Sequence, residues 1–405
     1  AGTALLHSAV VMEKRNALEI WTIFLAIVTF SLSLLGTFLV RSGILTSVHA
    51  FASDPTRGTV ILAMLAALIG GAFTLFALRA SSLRHGGLFA PISREGALIL
   101  NNVFLAAATT GVLIGTLYPL VLEALTGARI TVGAPFFNLT FGALMVLLIP
   151  FGPFLAWKRG DLVAVGQRLI AAIVVTLVLV LLVFAFLGFP VTLAPIGLGI
   201  GIWVMVGAIA EIADRIAAGR VAPRQSWARL KGLPRTAWST AIAHFGVGVS
   251  VIGIVCATAY QTEIVTSMRA GETIEISGYL VTYQGETQVD GPNFTAERGS
   301  FAIRSPWDGV REVTSERRIY PVSGTPTTEA GIRTYGLSQM YVQFGERFGS
   351  DGRVVRLWHK PFVLLIWLGT LFMAGAGFLS LTERRLRIGA PAVARNRTKP
   401  VEARP

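Results

Sequence analysis

Two of the five histidines in this 405-residue chain stand inside apolar segments, where an ionisable side chain is costly and therefore indicates a function. His7 precedes Lys14 by seven residues, and His244 follows Arg235 by nine. At the rise of an α-helix, these spacings correspond to about 10 and 13 Å from basic residues that mark the same side of a membrane. We therefore expect the two imidazoles to lie at nearly the same depth.

Two imidazoles at one depth on different helices can provide both axial ligands of a haem iron, since imidazole is a suitable ligand for it. A flat macrocycle also needs a face without bulky side chains. Small residues around a histidine would provide such a face, but they would equally allow close packing against another helix. A buried histidine with a structural partner and a proton relay remain open, although no Asp or Glu of the apolar segments is evident beside either histidine. The helical neighbours of His244 are mostly small: Thr240, Ala241, Gly248 and Val251.

A third histidine, His49, lies in a short bridge between two long apolar runs. Residues 43–53 around it, GILTSVHAFAS, are more apolar than a loop in water usually is. We expect this bridge to lie along the membrane interface or under a flat apolar ligand. Arg41 at its start would then meet a carboxylate of that ligand, or extend toward the lipid headgroups. The alternative is a solvated loop residue before a helix that Asp54 and Pro55 start.

The composition is that of a membrane protein: 53% of the residues are hydrophobic, 14% are charged, and the mean hydropathy is +0.65. We predict an all-α polytopic membrane protein with about eight transmembrane helices, a truncated first helix and one small extracytoplasmic β-domain. Because the chain opens with Ala1 in an apolar segment, we expect it to be the C-terminal part of something longer. The truncated helix is placed at 1–12 and the spans at 21–40, 58–78, 96–118, 138–157, 169–188, 193–212, 238–260 and 361–381.

The net charge of +13 is explained by this topology, so no nucleic-acid partner is expected. Counted over the short loops and the C-terminal tail, 21 lysines and arginines fall on one side and three on the other, with the large segment 261–356 left out of the count. By the positive-inside rule, the first side is cytoplasmic. This puts the basic C-terminal tail in the cytoplasm, with membrane lipid or a partner as its possible contact, and it puts residues 261–356 outside.

Residues 261–356 contain runs of alternating apolar and polar side chains, separated by Gly, Pro and Asp, which is typical of β-strands. We predict a β-rich domain that serves as a docking surface or as a structural cap. The runs are 273–283, 300–304 and 354–358. The chain is thereby divided into a transmembrane helical region with the candidate histidines at 1–260, the β-rich domain at 261–356, a final transmembrane helix at 357–382 and a basic cytoplasmic tail at 383–405.

The run FSLSLLGTFLVRSGILTSVHAFASDP at 30–55 resembles the signature of CcmF, the haem lyase subunit of the cytochrome c maturation system. These 26 residues match the signature in character and in order. The resemblance extends to other segments and covers essentially the whole chain. Those segments are GTALLHS at 2–8, EKR at 13–15, AHFGVG at 243–248, GPNFTA at 291–296, and YPV through PTTEA at 320–330.

The resemblance implies roles for three of the histidines. His7 and His244 match the two transmembrane histidines that hold a stable haem b. His49 matches one of two outward-facing histidines that ligate the haem being attached. The second outward histidine and the family's tryptophan-rich loop are expected in a missing upstream part. His85 and His359 match no ligand of the family.

The resemblance further implies a haem lyase that receives haem from a periplasmic chaperone of the CcmE type and attaches it covalently to apocytochrome c. The haem b would be the electron donor, and the cysteine thiols come from the substrate, so that no catalytic side chain is expected. Subunits of the CcmH and CcmI types would handle the apocytochrome, and the location would be the bacterial inner membrane, with the β-rich domain in the periplasm. The alternative is a multispan transporter of haem or small molecules, which usually shows repeats and broken helices.

Overall fold

The computed structural model describes residues 1–42, 55–83, 89–128, 130, 132, 141–186, 192–321, 326–349 and 352–383. Seven of its helices, α2, α3, α4, α6, α7, α9 and α10 in the list below, are long and apolar enough to cross a membrane. The predicted class, a helical polytopic protein with a small β-domain, is confirmed. The α-helices are α1 (Gly2–Arg15), α2 (Glu19–Arg41), α3 (Pro55–Arg79), α4 (Arg94–Thr126), α5 (Phe141–Leu148), α6 (Leu162–Phe186), α7 (Ala194–Arg215), α8 (Pro223–Lys231), α9 (Arg235–Ala259) and α10 (Leu364–Leu381).

The long helices leave large apolar side chains uncovered by protein. Leu75 is 57% exposed, Leu181 is 62% exposed and Trp367 is 64% exposed. Such a surface would aggregate in water, whereas in a bilayer it faces lipid tails. The chain is therefore a multi-pass membrane protein.

Polar caps set helix ends that hydropathy alone does not locate. Asp161 Oδ1 accepts hydrogen bonds from the backbone N–H groups of Val163, at 2.9 Å, and Ala164, at 3.3 Å. Helix α6 consequently begins at Leu162, seven residues before the predicted span. Similarly, the Ser93 hydroxyl accepts from the Gly96 N–H at 3.0 Å and starts α4.

The predicted span at 138–157 differs from the structure. Its described part is α5, of eight residues, followed by a 3₁₀ helix at Ile149–Phe154. Pro150 and Pro153 lack a backbone N–H, so the α-helical hydrogen-bond ladder cannot continue through them. The apolar composition was recognised correctly, but this described segment is shorter than a full span.

The described helices pack in two groups. In one, α1 packs on α2 and α4, and α2 packs on α3. In the other, α7 packs on α6 and α9, and α9 packs on α10. Helix α5 and the 3₁₀ helix after it contact both α4 and α7, so this short apolar segment links the groups.

The strands form two antiparallel sheets that face each other as a sandwich. One sheet has the order β1-β9-β8-β7 and the other β2-β3-β4-β5-β6. The alternating run at 273–283 lies in β-structure and forms a hairpin of two strands, because Ser277 and Gly278 adopt positive φ values of 52° and 81° and make the turn. The strands are β1 (Thr262–Met268), β2 (Thr273–Ile276), β3 (Tyr279–Asp290), β4 (Thr295–Arg304), β5 (Val310–Ile319), β6 (Pro326–Glu329), β7 (Gly331–Tyr335), β8 (Ser338–Phe348) and β9 (Gly352–Lys360).

The sandwich has a closed apolar core. Phe301 and Phe344 are fully buried, and their rings lie 6.4 Å apart in an edge-to-face arrangement. Burial of one such side chain contributes about 1.5–3 kcal/mol. The sandwich follows directly on α9 and leads directly into α10, whose first turn is tied to it by the hydrogen bond from Leu364 N–H to Leu337 O at 3.2 Å.

Candidate functional site

His7 lies on α1, beside the face that packs into the protein. Ala4, Ser8 and Val11, at helical spacing, are fully buried on that face. Polar contacts join it to the antiparallel α4. Arg15 Nε donates to Glu95 Oε1 at 2.9 Å, and Asn102 Nδ2 donates to Ser8 Oγ at 2.7 Å.

The His7 ring has a hydrogen-bond partner on α4. Asn101 Nδ2 lies 3.1 Å from His7 Nδ1, and both residues are half-buried. The next residue of α4, Asn102, is only 2% exposed and bonds to Ser8, the residue after His7. The two adjacent amides therefore contact two adjacent residues of α1. The contact engages one ring nitrogen and leaves Nε2 available to a ligand.

His244 lies on α9, in surroundings of a different kind. A Cβ added at Gly248 would lie 2.7 Å from Gly201 O on α7, and one added at Gly246 would lie 2.6 Å from Gly369 O on α10. The small residues near His244 therefore serve close helix packing at these two positions, which was the alternative to a face reserved for a macrocycle. Among the described residues, His244 has no hydrogen-bond partner.

His7 and His244 lie on helices that belong to the two different groups. His7 lies within electrostatic range of His244, although α1 and α9 do not pack closely against each other. Both rings are half-buried rather than enclosed by protein. Two imidazoles on separate helices form a donor set that suits the axial positions of a haem iron. Among the described residues, no group of three or more His, Cys, Asp and Glu side chains is placed to hold a metal ion.

Of the other predicted site residues, one lies in a described helix and one lies outside the described residues. Arg41 lies in the last turn of α2 and is half-buried. A Cβ at Gly58 would lie 2.9 Å from Ser42 Cα, so the end of α2 lies against the start of α3 at this point. His49 lies outside the described residues, as does His85.

His359 lies in β9, where its ring is 5.4 Å from that of Tyr279. Burial lowers the pKa of His359 below its ordinary value of 6.5. A partly buried ring packed on an aromatic neighbour accounts for its presence without a ligand.

Sequence reasoning did not identify Asn101 as part of the candidate site. The available signal was two adjacent amides, Asn101 and Asn102, in an otherwise apolar stretch of α4. Buried amides need partners, so their presence in a transmembrane helix indicates polar groups on a neighbouring helix. The partners, His7 and Ser8, lie 94 residues earlier in the chain and only the fold brings them to α4.

Comparisons with known proteins agree with this architecture. Residues 259–361 match the family model described as the CcmF C-terminal β-sandwich. Over 98% of its length, the chain is 57% identical to the cytochrome c-type biogenesis protein CycK of Rhizobium meliloti. Over 95% of its length, it is 42% identical to the cytochrome c-type biogenesis protein CcmF of Escherichia coli. The chain spans 59% of each of these two relatives.

A solved structure described as cytochrome c heme lyase CcmF superposes with a TM-score of 0.66 at 23% identity. The match covers 94% of this chain and 57% of that one. At this identity the likeness shows a shared fold.

Proposed function

From the premise that this chain is CcmF-like over almost its whole length, a resemblance that is now confirmed, we propose that it acts in cytochrome c biogenesis as the C-terminal part of a haem lyase. The observation that carries the proposal is the pair His7 and His244, which lie within electrostatic range on helices that do not pack closely together. An intramembrane histidine is costly, so two such residues in range of each other indicate a shared ligand.

His7 and His244 would hold a haem b through one ring nitrogen each. When bound, that group supplies a one-electron donor inside the membrane. The chain's own contribution is to hold both imidazoles in place. The polar contacts of α1 with α4 hold His7, and the glycine-mediated packing of α9 against α7 and α10 holds His244.

Attachment takes place at the outer face, where His49 would ligate the substrate haem together with a histidine from another part of the protein. Arg41 would contact a haem propionate. Each cysteine S–H of apocytochrome c adds across a haem vinyl group: sulfur bonds to one carbon, the hydrogen ends on the other, and the C=C bond becomes single. The protein positions the reactants, and no protein nucleophile takes part.

The proposed topology follows from charge. Residues 1–260 and 357–382 would hold the transmembrane helices, 261–356 the periplasmic domain and 383–405 a cytoplasmic tail, in the bacterial inner membrane. A haem chaperone of the CcmE type would deliver haem, and CcmH- and CcmI-type subunits would present the apocytochrome. The sandwich, which is tied to the first turn of α10, would serve as their docking surface or as a structural cap.

The first test is the absorbance spectrum of the protein purified from membranes. We expect a b-type spectrum that is lost in His7→Ala and equally in His244→Ala, because one imidazole cannot hold the iron as two do. His85→Ala serves as the matched histidine control and should retain the spectrum. Unchanged absorbance in both ligand variants would contradict the proposal.

The second test separates the two haems. We expect His49→Ala to retain the b-type spectrum and to lose cytochrome c maturation in cells that carry the complete maturation system. The readout is covalent haem in the cytochrome c fraction, detected after denaturing electrophoresis. Normal maturation in His49→Ala would remove His49 from the attachment site.

A further inference from the structure

We infer that Asn101 is a positioning residue for His7. Asn101 orients the His7 imidazole and tunes the reduction potential of the iron that this imidazole binds. The inference rests on the proposed function, since it gives His7 a haem to ligate. It goes beyond that function in assigning a role to a residue on a third helix, α4.

The contact selects which ring nitrogen is free. Asn101 Nδ2 lies 3.1 Å from His7 Nδ1, so the amide occupies that side of the ring. A neutral imidazole that binds iron through Nε2 carries its proton on Nδ1 and must donate it. Asn101 can receive this proton through Oδ1 after its amide turns over, because the oxygen and nitrogen of an amide occupy equivalent positions.

The turn of the Asn101 amide disrupts nothing else. Among the described residues, its side chain has no hydrogen-bond partner besides His7. Asn102 differs, since its Nδ2 is engaged by Ser8 Oγ at 2.7 Å and the residue is 2% exposed. Asn102 therefore fixes α1 on α4, while the neighbouring Asn101 is left to follow the protonation of the ring.

Asn101 can influence the iron electronically, because a stronger acceptor at Nδ1–H makes the imidazole a better donor to Fe(III). His244 has no such partner among the described residues, so His7 is the side at which the potential can be adjusted.

The experiment compares Asn101→Asp and Asn101→Leu with the unaltered protein by redox titration of the b-type absorbance. Aspartate is a stronger acceptor and should lower the midpoint potential, whereas leucine accepts nothing and should raise it. We expect about a tenfold change in the ratio of Fe(III) to Fe(II) for the aspartate variant, which is about 59 mV for one electron. The ferric EPR spectrum should shift in the same variants.

Opposite shifts of the midpoint potential in the two variants distinguish an electronic effect of Asn101 from a loosened His7. A merely structural role would shift the potentials of both variants in the same direction, or would shift neither. Asn102→Leu serves as the structural control and should lower thermal stability with a smaller change in potential than Asn101→Asp. Identical potentials in unaltered protein, Asn101→Asp and Asn101→Leu would overturn the inference while leaving haem binding intact. Absence of b-type absorbance from the unaltered protein would instead overturn the proposed function, and the inference with it.

Discussion

The surroundings of His7 and His244 are held together by different forces. Around His7, directional contacts of a few polar side chains join α1 to α4. Around His244, backbones approach closely at glycines, and α9 lies between α7 and α10. Hydrogen bonds fix the orientation of a ring, whereas close packing fixes the position of a backbone. One imidazole is thus oriented by a neighbour and the other by its helix alone.

This difference has a consequence for how the two regions respond to change. A buried polar contact fails abruptly when one partner is removed, because the other is left without compensation. Close packing of two helices at a glycine is disrupted when a side chain is added, because the contact depends on the absence of side-chain atoms at that position. The following predictions use this contrast, beginning with the largest expected effect.

The strongest test of the His7 region is Glu95→Ala. Glu95 is 1% exposed, pairs with Arg15 and also accepts the Lys158 N–H at 2.9 Å. Removal of one member of a buried pair costs about 3–5 kcal/mol, so we expect a large fall in the thermal unfolding midpoint. Glu13→Ala is the matched control, because Glu13 is 45% exposed and its pair with Lys14 is solvated. Equal losses in the two variants would show that the buried pair does not hold α1.

The corresponding test of the His244 region adds one methyl group. In Gly248→Ala, the new carbon would meet Met205 Cγ at 2.6 Å and Gly201 O at 2.7 Å, which forces α7 and α9 apart. We expect destabilisation of about 1–3 kcal/mol and a reduced b-type spectrum. Gly111→Ala, where nothing lies within 4 Å, should be neutral or slightly stabilising. If Gly248→Ala matched Gly111→Ala in stability, close packing would not be what holds His244.

The β-sandwich lies outside the transmembrane helices, and its polar contacts are expected to respond to pH. The hydrogen bond from Arg353 lowers the pKa of Glu286 below its ordinary value of 4.5. A carboxylate with a lowered folded pKa stabilises the fold above the ordinary value, and this contribution is lost as the pH falls through the folded value. We expect the sandwich to lose protection from hydrogen exchange below about pH 5, and Glu286→Gln to weaken this pH dependence.

The matched control for Glu286 is Glu346→Gln, because Glu346 is 79% exposed and its pair with Arg317 is on the surface. It should leave the acid sensitivity unchanged. The same pH profile in Glu286→Gln as in the unaltered protein would locate the acid-sensitive contact elsewhere. The effect is expected to be the smallest of the three, since Glu286 is itself 30% exposed.

Much of the fold was predictable because bilayer and sheet impose simple patterns. Apolar runs of sufficient length located the seven long helices, and alternation located the β-rich region. In the described part of the span predicted at 138–157, Pro150 and Pro153 interrupt the α-helix, which an apolar composition does not reveal. At 273–283 the alternation correctly indicated β-structure, but it continues across a two-residue turn and therefore did not locate that turn.

The candidate site was predictable in part. The histidines stand out as costly residues in apolar segments, and their depths can be compared by counting. The purpose of Gly248 could not be decided, because an open face and a packed face require the same small residue. Asn101 was not recognised, since a hydrogen bond between residues 94 positions apart leaves no periodic signal.

The sequence by itself determined that the protein is a membrane protein and which of its segments are apolar. It also identified the ionisable residues whose placement in those segments is costly and therefore indicates a function. These properties depend on composition and local periodicity, which a chain carries wherever it folds. Only the tertiary structure decided that His7 is held by Asn101, that Gly248 touches Gly201, and that His7 and His244 come within range of each other. Those relations join distant parts of the chain, and they arise from how helices pack rather than from the order of residues within any one of them.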